Sequence, residues 1–156
     1  MPGDFIRHFE GEHGALLALL EDCLSVDEGR VRPAFELFRR RLLQGIAMEE
    51  RVLLPALVRR LGRVPRWRRV LRQDHVSLVR LCVLAPHREW LEGLVDALVF
   101  HHAQKQRFVA RCEVVLEPAV LSWALALPPV EVPPLAEAPR EVPQRLRWAL
   151  RAVGLG

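Results

Sequence analysis

Apolar residues return every three or four positions along four successive stretches of the chain, which is the period of an amphipathic helix. The first stretch runs from residue 4 to about Leu24 with the stripe Ile6, Phe9, His13, Leu16/Leu17, Leu20 and Leu24, and Asp4 is its candidate N-cap. The second is predicted from Pro33, a residue suited to a first helical turn, to Leu61 just before Gly62. Its inner face reads Phe35, Phe38, Leu42, Gly45, Glu49, Val52 and Ala56, with Glu50 off that line and Pro55 placed to kink it. The third, about residues 65–84, carries Leu71, His75, Leu78/Val79 and Cys82 on one face. The fourth, about residues 86–116, carries Leu91, Leu94, Leu98, His101, Lys105, Phe108, Cys112 and Val115, with His102 flanking the stripe and Pro118 closing the series. Short connections predict antiparallel neighbours, so the expected fold is all-α, an up-down-up-down four-helix bundle over residues 4–117.

Residues 118–156 differ in composition. Ala119 to Leu127 can form a short apolar helix, after which Pro128, Pro129, Pro133, Pro134, Pro139 and Pro143 predict an extended, Pro-rich arm. Beyond it, Gln144 to Val153 places Leu146, Trp148/Ala149 and Ala152/Val153 on one face between arginines, the pattern of a short amphipathic helix. A helix of three turns is marginal alone and needs a surface to dock on, either the bundle or a second copy. A homodimer joined through this arm is the expected assembly.

Composition narrows the class. The chain has 156 residues, 51% hydrophobic and 27% charged, which suits one ordinary globular core. No apolar run is long enough to span a bilayer and the N-terminus lacks a signal pattern, so a cytoplasmic protein without a membrane partner is expected. Three widely spaced cysteines, Cys23, Cys82 and Cys112, read as free thiols. The net charge of +4 invites a nucleic-acid reading. The arginines, however, are interleaved with apolar residues at helical spacing and no DNA-binding motif accompanies them, so a solvated helix face is the expectation.

The candidate chemistry lies in the stripes themselves. His13, Glu49, His75 and His101 each occupy a position where a core side chain belongs, one on each predicted helix. Unpartnered ionisable groups are costly to bury, and counting residues from the connecting loops puts all four in one layer, as a metal site inside a bundle requires. There is no Ser/His/Asp or Cys/His arrangement and no Gly-rich phosphate loop, so an enzyme is not expected.

Four motifs carry a resemblance to a known family. Glu12-His13-Gly14, the segment Met48-Glu49-Glu50-Arg51-Val52-Leu53-Leu54-Pro55, Gln73-Asp74-His75, and the segment from His101-His102 through Lys105-Gln106 to Phe108 together resemble the hemerythrin-like, or HHE cation-binding, domains over residues 4–117. Members of that family hold a non-haem di-iron centre with histidines from all four helices and bridging carboxylates from the second and fourth. They are associated with dioxygen or nitric oxide binding and with iron sensing or repair. The resemblance implies His13, Glu49, His75 and His101 as ligands and no separate catalytic base.

The departures define what is left of such a centre. Gly45 stands where the family has a histidine four residues before the glutamate, Lys105 and Gln106 stand where it has a carboxylate, and Val79 occupies a further ligand position. A complete di-iron centre is therefore not expected; three histidines and a glutamate suffice for one ion such as Fe²⁺, Mn²⁺ or Zn²⁺. Glu50, His102 and Gln106 would stand behind these ligands. Lys105 offers a second outcome. An ammonium about 5 Å from a divalent cation is repelled by roughly 6–7 kcal/mol at an effective dielectric near 20, whereas about 4 Å from Glu49 it gains roughly 4 kcal/mol before desolvation. A Lys105–Glu49 pair could thus replace the metal and leave a structural or partner-binding bundle.

Overall fold

The computed structural model describes residues 3–156, and the chain is all-helical over most of that length. In order come α1 (Asp4–Ser25), α2 (Glu28–Met48), a π-helical turn (Glu49–Leu53), α3 (Leu54–Leu61), α4 (Arg68–Leu81), α5 (Arg88–Gln104), α6 (Gln106–Val115), α7 (Pro118–Leu125), a 3-10 turn (Pro139–Glu141) and α8 (Val142–Val153). α1 packs on α2, α5, α6 and α7, α3 packs on α6, and α4 packs on α5, while α8 rests on α2 and α4.

Several boundaries depart from expectation for identifiable reasons. Asp4 lies within the first turn of α1 and pairs with Arg7; Gly3 holds the N-cap position without a side-chain bond. The free N–H groups are instead served from afar, by Phe5 and Ile6 donating to Glu113 Oε2 at 3.0 and 3.4 Å. α2 starts at Glu28, five residues before Pro33. A proline there removes one helical bond, to the Gly29 carbonyl, and both residues are exposed, so water can serve that carbonyl. The long fourth helix is two, bent at Lys105 (φ −85°, ψ 3°), where the side chain reaches inward.

The kink expected at Pro55 takes the form of the π turn ahead of it. Pro55 cannot donate to the Arg51 carbonyl, and a wider turn relieves the contact between its ring and that carbonyl. The Leu54 N–H accordingly bonds the Glu49 carbonyl, five residues back. One extra residue in the turn shifts the helical register, and both Glu49 and Glu50 end up buried. The reading of Glu50 as lying off the inner face is thereby corrected.

Two apolar clusters fill the interior, and the polar layer lies between them. On α1 the change from one cluster to the other falls between Phe9 and Leu16, on α4 between Leu71 and Leu78, and along α5 and α6 between Leu98 and Phe108. His13, His75 and His101 occupy those three gaps, and Glu49 occupies the corresponding place just beyond Ala47 and Met48 at the end of α2.

The C-terminal segment is seated on its own chain. Leu135, Ala149, Val153 and Leu155 belong to the same cluster as Phe35, Leu42 and Leu94. Arg39, 1% exposed, fastens the arm by donating to the Cys82 carbonyl and the Pro133 carbonyl, both at 2.7 Å. Gln44 bonds the Val130 N–H, Arg32 pairs with Glu137, and the Ala136 N–H donates to the Val83 carbonyl. The need for cover that motivated a dimer through the arm is met within the chain. No helix among the described residues is long and apolar enough to cross a membrane. The three cysteines are free and buried, and burial pushes the thiol of Cys23 up to about 11 and that of Cys82 up to about 12.

Candidate metal centre

Glu49, His75 and His101 come together in the buried layer, with one ligand atom from each lying within 4.8 Å of the others. They reach it from the π turn, from the middle of α4 and from the end of α5. His75 is completely buried. Its Nε2 stands 2.8 Å from Glu49 Oε2, and its Nδ1 donates to Glu50 Oε1 at 2.6 Å. Glu50 is in turn backed by Arg68 at 3.3 Å. His101 Nδ1 lies 3.3 Å from Asp74 Oδ2, which leaves Nε2 as its other nitrogen. Both imidazoles thus have one nitrogen held against a carboxylate, the arrangement that fixes the tautomer of a metal-ligating histidine.

The contact between Glu49 Oε2 and His75 Nε2 is unusual. The two atoms are at hydrogen-bonding distance and shut off from solvent, yet neither has a hydrogen-bond partner of acceptable geometry. Such a pair fits either a proton held between the two atoms or two lone pairs aimed at a common third point. Ligand atoms about 2.0–2.1 Å from an ion are about 2.9 Å apart across an octahedral edge and about 3.3 Å apart across a tetrahedral one. The Glu49–His75 spacing needs little adjustment for either, while His101 closes in from within 4.8 Å. Glu49, His75 and His101 lie close enough together to hold one ion through one oxygen and two nitrogens.

Lys105, the only lysine of the chain, sits on the other oxygen of the same carboxylate, with Nζ donating to Glu49 Oε1 at 2.8 Å. It also lies 5.0 Å from the centre of the Phe9 ring. Burial opposes ionisation of Glu49, but the Lys105 ammonium and the His75 contact outweigh it and hold the carboxyl well below its ordinary value. Burial likewise works against charge on His75, and its contacts with Glu49 and Glu50 reverse the sign, so that its pKa is raised. At His101 the opposing pull of Glu49 is too small to compensate. Burial, then Lys105 and His75, bring it down to about 3, and it is neutral with a free lone pair near neutral pH.

The remaining expected residues are elsewhere. His13 is half-buried and outside the cluster, stacked flat on His102 with ring centroids 3.8 Å apart and planes 7° off parallel. Burial, with His102 and Lys105 nearby, lowers its pKa. His102 meets Glu10 at 3.2 Å and Gln106 at 3.1 Å on the outer side. A hollow beside the cluster is lined by His8, His13, Gly45, Glu49, His101 and Lys105. A β-carbon added at Gly45 would meet nothing within 4 Å, so the absent side chain leaves open space there. Asp74 and Arg68 join the site from outside the expected set. Asp74 adjoins His75 within the Gln73-Asp74-His75 motif, and Arg68 lies seven residues before His75, two turns away on the same face, so a signal for each existed.

Comparison with known protein families, with curated proteins and with solved structures finds no match to this chain.

Proposed function

We propose that the protein is a hemerythrin-like bundle that has kept one half of a dinuclear centre and binds a single divalent cation, Fe²⁺, Mn²⁺ or Zn²⁺, through Glu49, His75 and His101. The observation that carries this reading is the close, unbonded approach of Glu49 Oε2 and His75 Nε2 in a solvent-free layer. Glu50 and Asp74 support it by holding the outer nitrogens of the two histidines. An ion bound there would supply a Lewis-acidic centre facing the hollow at Gly45, where a small molecule such as dioxygen or nitric oxide has room. Gly45 and Lys105 deny ligands to a second ion, and His13 is turned to His102.

A second reading rests on the Lys105–Glu49 contact of 2.8 Å. In it the ammonium, together with a proton on His75, balances the carboxylates, and the bundle works without metal as a structural or partner-binding unit. Equilibrium dialysis separates the two. Metal-free protein dialysed against Zn²⁺, Mn²⁺ or anaerobic Fe²⁺ should take up one equivalent, and a His75→Ala variant should take up none. Failure of all three ions to bind folded protein selects the metal-free reading.

A further inference from the structure

Some of the arginines that alternate with apolar residues lie close together around the connection between α3 and α4. Residues 59–72 hold seven arginines and no acidic residue. The whole chain carries +4 and this stretch +7, so the rest of the protein is net acidic at −3. The stretch comprises the last turn of α3, a turn made by Gly62 in the left-handed region (φ 67°), and the start of α4. Arg68 points inward to Glu50. Arg59, Arg60, Arg63, Arg66, Arg69 and Arg72 are exposed and make no ion pair or hydrogen bond among the described residues. Arg32 and Arg41, exposed elsewhere, pair with Glu137 and Glu12, while other exposed arginines such as Arg30 and Arg107 stand singly rather than in an acid-free run.

Apolar side chains accompany the unpaired charge. Val64, in the connecting turn, is 64% exposed, and Val70 on α4 is 46% exposed. Trp123 of α7, 66% exposed, lines a shallow hollow together with Arg59, Arg60 and one carboxylate, Glu117, which leaves the arginines in excess. Unneutralised guanidiniums call for phosphate or carboxylate groups, and both a nucleic acid and an anionic bilayer provide them. The protruding valines decide between these. A phosphodiester backbone offers aliphatic side chains nothing, whereas the boundary between headgroups and acyl chains receives valine and tryptophan while arginines reach phosphate above it.

We propose that the α3–α4 corner docks this protein reversibly on an anionic phospholipid surface, with the six arginines against headgroup phosphates and Val64 and Trp123 in the interfacial layer. No bilayer-spanning helix is required, and the docking is independent of the metal centre and its occupancy. The sequence shows the run of arginines but not that Arg68 turns inward to Glu50 while the other six stay exposed, Arg59 and Arg60 beside Trp123 of α7.

The test is co-sedimentation of the full chain with vesicles of phosphatidylcholine, alone or mixed with phosphatidylserine, at low and high salt. Binding to the mixed vesicles only, weakened by salt, is expected, with a blue shift of tryptophan emission that Trp123→Phe removes. Arg63→Glu/Arg66→Glu should lower partitioning at least about tenfold, and Val64→Ser should lower it too. Arg30→Glu, an exposed reversal near the start of α2, should leave it unchanged. Absence of binding to the mixed vesicles, or equal loss with Arg30→Glu, overturns the proposal. So does tighter binding to duplex DNA that is indifferent to Val64→Ser, which would assign the corner to nucleic acid.

Discussion

Replacing Lys105 with glutamine removes a fixed charge that opposes an ion at the centre. Nζ sits 2.8 Å from Glu49 Oε1, and Oε2 of the same carboxylate faces His75. An ion bound to Oε2 would therefore lie about 5 Å from Nζ, a repulsion of roughly 6–7 kcal/mol at an effective dielectric near 20. The full amount will not be felt. The lysine side chain is 12% exposed, close enough to solvent to swing outward and exchange the repulsion for a lost contact with Glu49, which hydration partly repays. The smaller of the two costs governs, and Lys105→Gln should tighten metal binding by about 1.4–4 kcal/mol, one to three decades in Kd. Competition with a chromogenic zinc chelator reads this directly. Lys105→Arg, which keeps the charge, should bring no such gain. The metal-free Lys105→Gln protein should melt earlier than the parent, because Glu49 loses its partner, and zinc should more than restore it. Unchanged or weaker zinc affinity in Lys105→Gln would refute the electrostatic reasoning.

The same geometry sets four further expectations. Glu50→Gln removes the anionic acceptor of His75 Nδ1 and the partner of Arg68, and should weaken zinc about 10–100-fold while the helices persist by circular dichroism. Gly45→His combined with Lys105→Asp places a histidine and a carboxylate where hemerythrin-like domains carry them; if the protein is hemerythrin-like, dialysis should find uptake rising from one ion to two per chain. In metal-free protein the raised pKa of His75 contributes stability that is complete below about 6.5 and disappears as pH rises through the folded value, and the lowered Glu49 contributes above about 4.5 and is lost as pH falls through its folded value. Thermal melts should show that pattern, whereas zinc affinity should rise with pH, since the ion must displace the His75 proton. Arg39→Ala leaves the Cys82 and Pro133 carbonyls without their donor, which should cost about 2–4 kcal/mol in denaturant unfolding and open the arm to limited proteolysis near Pro133.

Much of this architecture is legible in the sequence because each helix buries one apolar stripe, and the interruptions of those stripes mark the polar layer. Glu49, His75 and His101 emerge from that rule directly. Glu50 does not, because its burial depends on a π turn, and a period of 3.6 residues cannot register one extra residue ahead of Pro55. His13 falls on the stripe yet leaves the cluster: it lies at a gap between the apolar clusters where His102 offers a stacking partner and Gly45 offers no bulk to press it inward. The seat of the arm is equally hidden, since Arg39 reads as one of three consecutive solvated arginines until the Pro133 carbonyl arrives beside it. The run of arginines at 59–72 is plain in the sequence, but the exposure of six of them and the nearness of Trp123 to Arg59 and Arg60 are not.

The central claim is that one ion is held by Glu49, His75 and His101. A crystal structure of zinc-loaded protein with data at the zinc edge tests it most directly. The account predicts one anomalous peak per chain, within about 2.2 Å of Glu49 Oε2 and of a nitrogen of each histidine, with Lys105 Nζ moved off Glu49. A centre without anomalous density and with Lys105 still on Glu49, or zinc held only by the outer His13 and His102 pair, would contradict it.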